Sequence, residues 1–90
     1  MKRIFKYTLQ TKDSFELLLP KGLRILKLGM SKGNPCVWAL INPNEFIHEI
    51  HRFRIFGTGH EISDEEFARL TYIDTYFEGS FVWHLFEVKT

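Results

Sequence analysis

Only one cysteine, Cys36, and three prolines occur in these 90 residues, and the net charge is +1. A single thiol cannot close an internal disulfide, so stability must come from packing, and the composition suits a reducing compartment. With a pI of about 7.9, the chain carries no basic stripe of the kind that long nucleic acid requires. A small anion is a different matter, since a few local positive groups suffice. Long apolar runs are also missing. The longest, such as Leu17-Leu18-Leu19 and Phe81-Val82-Trp83, fall far short of the roughly 20 residues that span a bilayer, so no membrane helix is expected. The beginning, MKRIFKYTLQ, alternates polar and apolar residues and has neither an unbroken apolar core nor a small-residue cleavage site. A secretory signal is therefore not expected, and a cytoplasmic location is. Linkers, repeats and low-complexity blocks are absent from the sequence, which makes residues 1–90 a single domain.

Aromatic residues, by contrast, are plentiful. Nine Phe, three Tyr and two Trp make up 16% of a chain that is 44% hydrophobic. A domain of this size buries only roughly 60–65% of its unfolded surface. Its interior has few places for so many rings, so some are expected to face a ligand or another subunit.

Period-two alternation dominates the pattern. Residues 3–10 place Phe5, Tyr7 and Leu9 on one face, and 14–19, 23–30 and 36–42 follow as further strands between turn signals. Pro20-Lys21-Gly22 and Lys32-Gly33-Asn34-Pro35 supply two of those breaks. Residues 46–56 read as a further long strand, with Arg52 and Arg54 on one face. Ser63-Asp64-Glu65-Glu66 fits a capping box, in which the Ser63 hydroxyl accepts from the Glu66 amide and Glu66 reaches back. It predicts a short helix over 63–70. A closing hairpin of 71–77 and 81–88 completes the chain. Its last strand is apolar on both faces, so one face should meet the core and the other a helix or a partner. The fold expected is mainly β within the α+β class, a small antiparallel sheet or barrel-like domain with one short helix.

Among groups able to carry chemistry, the run HRFRIFGTGH stands out. Gly57 and Gly59 free the backbone to turn amides toward an anion, Thr58 adds a hydroxyl, and His60 adds a ring nitrogen. Arg52 and Arg54, just upstream, present forks suited to phosphate oxygens. An ordinary strand-ending turn with solvated arginines explains the same residues, because the spacing matches neither the Rossmann nor the P-loop fingerprint. Trp38 and Trp83 fit core or subunit packing better than base stacking. Enzyme chemistry finds little footing. Cys36 opens an apolar strand, where a thiol is inert. His48 and His51, three apart on a strand, face opposite sides and cannot easily share a metal. Neither catalytic residues nor a metal or cofactor are expected.

Taken in order, IFKY, LPKG, NPCVWALINP, RFRIFGTGH and FVWHLFE resemble a family of short phage-encoded proteins, and the likeness covers nearly the whole chain. Through that family the sequence is similar to the anti-CBASS nucleotide sponges, which disarm bacterial immunity by sequestering cyclic nucleotide signals. The resemblance implies a non-enzymatic homotetramer in the host cytoplasm that binds a cyclic dinucleotide such as cyclic GMP-AMP. It also adds Lys6 and Tyr7, the KY of the first motif, to the ligand-binding set of Arg52, Arg54, Gly57, Thr58, Gly59 and His60. Two other functions stay open: a protein-binding inhibitor of a host factor, and a small structural or regulatory phage protein without a ligand.

Overall fold

The computed structural model describes residues 1–89. Among them are strands β1 (Arg3–Thr8), β2 (Ser14–Pro20), β3 (Arg24–Ser31), β4 (Asn34–Ile41), β5 (His48–Gly57), β6 (Leu70–Glu78) and β7 (Phe81–Val88), with one short helix, α1 (Asp64–Phe67). The strands form two antiparallel sheets, one ordered β1-β4-β3 and the other β2-β5-β7-β6. The mainly β expectation is met. The helix is shorter than the predicted 63–70, because Leu70 already begins β6 and pairs with Val88.

Turn chemistry sets the two tight hairpins. Between β3 and β4, Lys32 and Gly33 both take positive φ (52° and 81°), as a two-residue type I′ turn demands. Between β6 and β7, Gly79 (φ 62°) occupies the first central position, where a type II′ turn needs glycine.

The sheets face each other across one core. Leu28 and Val37 contribute from the first sheet, and Leu19, Phe53, Ile55, Tyr76 and Leu85 from the second. The molecule is only 16 Å thick along its shortest axis, as expected for two layers about 10 Å apart. The other face of the second sheet carries a smaller cluster of Phe56, Leu70 and Phe86, packed with Ile62 and Val88. Phe67 and Tyr72 meet the Phe86 ring edge-on, at 6.2 and 5.5 Å between centroids. This explains why β7 is apolar on both sides. It lies inside a sheet, and the segment around α1 covers its outer face. Trp38 is half-buried against Gly29, where an added Cβ would stand 3.1 Å from the indole.

At the seam between the sheets, Lys27 Nζ reaches Asp74 Oδ2 at 3.2 Å. Burial pushes the Asp74 carboxyl up, but hydrogen bonds from the Thr75 and Leu28 backbone and from Lys27, with its charge, outweigh that and hold the group below the usual carboxylate range. A depressed folded-state value means the stabilisation is complete above the ordinary carboxylate range and disappears as pH falls through the lowered value. Asp74→Asn should therefore reduce stability at neutral pH, and its urea midpoint should converge on that of the wild type in strong acid. A gap that stays constant across that window would show that Asp74 contributes through packing alone.

Candidate functional site

The Gly-Thr-Gly-His segment closes β5 as a tight turn. His60 N donates to Gly57 O at 3.1 Å, and Gly59, with φ 91°, fills the third position as a type II turn requires. Two more amides of the turn are tied inward. Gly57 N donates to His60 Nδ1 at 3.1 Å, and Thr58 N donates to Val82 O at 3.1 Å. Gly57 thus serves close packing and Gly59 the positive φ of the turn, whereas an anion nest would need the Gly57 and Thr58 amides to converge on open space. His60 caps the backbone through Nδ1, which leaves the ring proton on Nε2.

Gly57 stands opposite Trp83 in the β5–β7 ladder. A Cβ at Gly57 would lie 3.0 Å from His60 Cε1 and 3.2 Å from Trp83 Cζ3, so only glycine lets both rings close over the strand. Phe81 stacks on Trp83 at 5.6 Å between centroids, and His60 meets the indole edge-on at 6.3 Å. These rings, with Thr58 and Ser80, wall a cavity of about 220 Å³. Phe81 is exposed, while Trp83 Nε1 is covered and finds no hydrogen-bond partner among the described residues. Thr58 Oγ1 also contacts His84 Nε2 at 2.7 Å, and His84 Nδ1 contacts Thr75 Oγ1 at 2.9 Å. This side-chain chain ties the turn to β6.

The arginines lie elsewhere on β5, on the outer face of the second sheet. Arg52 Nε donates to Glu16 Oε2 at 2.6 Å. Arg54 forms an ion pair with Glu66, donates from Nε to Asp13 O at 2.9 Å, and covers the Phe56 ring at 4.6 Å. Glu66 therefore turns to Arg54. Of the expected capping box, the Ser63 half is formed, with Glu66 N donating to Ser63 Oγ at 3.1 Å. Arg54 separates two open cavities, one of about 290 Å³ shared with Ser63 and Arg69, the other of about 450 Å³ shared with Ser14 and Arg52.

Lys6 and Tyr7 belong to β1 in the first sheet. Lys6 Nζ donates to Ser31 Oγ at 3.0 Å, and Tyr7 packs on the core, where burial raises its phenol above the ordinary value. The structure thus brings Gly57, Thr58 and His60 around one cavity, whose Trp83 wall faces the core side of the sheet, and sets Arg52 and Arg54 on the opposite, outer face. Lys6 and Tyr7 sit on the other sheet. Phe81 and Ser80 escaped sequence reasoning as cavity walls, although the pairing of FGTG with the start of FVWHLF could have suggested them. The described residues contain no group of three or more His, Cys, Asp or Glu placed to hold a metal, and Cys36 is buried.

A family model described as a domain of unknown function, DUF7352, matches residues 1–90. The chain belongs to the DUF7352 family. No curated protein and no solved structure matches it. In this DUF7352 chain no helix among the described residues is long and apolar enough to cross a membrane.

Proposed function

We propose that this DUF7352 chain is a non-enzymatic binding protein that sequesters a cyclic oligonucleotide second messenger, such as cyclic GMP-AMP, for phage immune evasion in the host cytoplasm. The observation that carries the proposal is the cavity at the Gly57–His60 turn, walled by the stacked Phe81 and Trp83. A base laid on the exposed Phe81 ring gains roughly 1–3 kcal/mol from stacking. Arg52 and Arg54 stand on the opposite face of the same strand, so they would meet the phosphates of a ligand held here from a second subunit of the proposed assembly. The resemblance of RFRIFGTGH and FVWHLFE to phage sponge proteins supports the same reading.

Thermal-shift and calorimetric titration against a panel of cyclic di- and trinucleotides tests it. At one hundred times Kd, ligand stabilises a folded domain by about 2.7 kcal/mol. In a domain of this size that is a rise in Tm of about 10 °C or more. The ligand recovered afterwards should be chemically intact, and Phe81→Ala should weaken binding by about 5- to 150-fold. If no panel member stabilises the protein, the nucleotide assignment is wrong.

Binding is proposed to occur in a homo-oligomer, a tetramer by the resemblance. Phe46 is 93% exposed and adjoins Ile47, while Leu18 and Ile50 pair directly across β2 and β5 with their side chains exposed. Lys21 N donates to Ile47 O, which places the loop and the strand pair side by side. Apolar surface of this kind suits a subunit contact. Light scattering should show the assembly at micromolar concentration and a smaller species for Ile50→Lys. A monomer carrying a co-purified host protein would favour the inhibitor function instead.

A further inference from the structure

Two β-bulges flank the seam where β3 and β6 approach. The β3–β4 register slips between Ile25 and Lys27, and the β6–β7 register slips between Tyr72 and Asp74. Bulges re-aim side chains and gather beside functional sites. Here they border a cavity of about 230 Å³ lined by Leu23, Ile25, His51, Tyr72, Ile73 and Glu87. Apart from Tyr72, which the Thr75 hydroxyl links to His84, none of these residues touches the turn cavity. Leu23, Ile25 and Ile73 make one wall apolar.

The other wall is polar. His51 Nδ1 lies 2.6 Å from Glu87 Oε2, with both side chains partly buried. An ionised carboxylate only accepts, so Nδ1 is the donor, and Nε2 carries a lone pair whenever the ring is uncharged. That nitrogen is covered and finds no partner among the described residues. A polar atom left so is costly unless something else satisfies it. Glu87 holds His51 through one oxygen, and its second oxygen is available to a ligand. The polar wall therefore offers the Glu87 carboxylate as acceptor and negative charge, with no Lys or Arg among the residues that line it. A matching ligand must donate hydrogen bonds, carry positive charge and present an apolar body. An ammonium head has three donors and no acceptor.

We propose that this cavity binds a small primary amine, an alkyl- or aralkylammonium ion, with its head at Glu87 and His51 and its body against Leu23, Ile25 and Ile73. The site is separate from the nucleotide cavity and does not depend on that assignment. Benzylamine is the probe, with benzyl alcohol and benzoate as matched controls at constant pH and ionic strength. Each is titrated into the intact isotope-labelled protein while the His51 ring and Ile25 and Ile73 methyl signals are followed by NMR. Benzylamine should give saturable shifts at these positions with millimolar affinity, and the two controls should not. Glu87→Gln should weaken benzylamine by about tenfold or more. Ile73→Trp fills the cavity from its apolar side while keeping the dyad, and should also remove binding. Dispersed spectra confirm that each variant is folded. Unsaturable shifts in the wild type, equal binding of either control, or full affinity in both folded variants would overturn the proposal.

Discussion

Phe53→Ala should lower the free energy of unfolding by about 3–5 kcal/mol, the range for removing a buried aromatic ring from a packed core. Phe53 is 2% exposed on a strand flanked by β2 and β7, and its ring stacks on Phe15 at 5.2 Å between centroids. Truncation removes that stack and opens a void facing Leu19, Val37 and Leu85, in a site where the backbone is held by ladders on both sides. A domain of this length has only about 5–13 kcal/mol of stability in total. The variant should therefore lose at least about 12 °C in Tm, and urea denaturation should show a lower midpoint with an unchanged slope. A loss under about 1 kcal/mol would mean that the two sheets do not close over Phe53.

A second large effect, on binding, is expected at Arg54. Loss of one charge-assisted contact to a buried phosphate costs about 1.5–3 kcal/mol, or roughly ten- to a hundred-fold in affinity. Arg52→Ala and Arg54→Ala should each weaken cyclic dinucleotide binding by that amount while the assembly stays intact. The Arg54 guanidinium already faces Glu66 and the Asp13 carbonyl, and Arg52 faces Glu16. A phosphate must therefore compete with a carboxylate for each fork. Opposite signs follow for the two partners of one pair. Arg54→Ala should reduce affinity, whereas Glu66→Gln removes the competing charge and should maintain or raise it. Calorimetric titration with size-exclusion chromatography as the assembly control measures both. Wild-type affinity in both correctly assembled arginine variants would reduce RFRIFGTGH to a structural corner.

Local pattern was sufficient for the elements themselves. Alternation around Phe53 and Ile55 marks β5, Lys32-Gly33 marks a tight hairpin, and Ser63 marks the start of α1. Each depends on residues a few positions apart, where pleat, φ preference and capping act directly. Function-bearing geometry was less legible. Nothing local to Arg52 and Arg54 announces Glu16 or Glu66 as partners, because strand pairing brings the first across and the covering segment brings the second. The two glycines of GTG permit an anion nest and a closed turn equally well. Tertiary structure decides between them, since the His60 ring and the Val82 carbonyl take the Gly57 and Thr58 amides. Likewise, Lys6 and Tyr7 are near neighbours of the arginines in no sense that sequence spacing could test, and the division into two sheets separates them. The apolar double face of β7 is a local fact, but what covers each face is settled only when Phe56, Phe67 and Phe86 meet. Periodicity is a property of consecutive residues and survives in the sequence. Pairing, partners and cavities are properties of distant residues brought together, and they exist only in the folded chain.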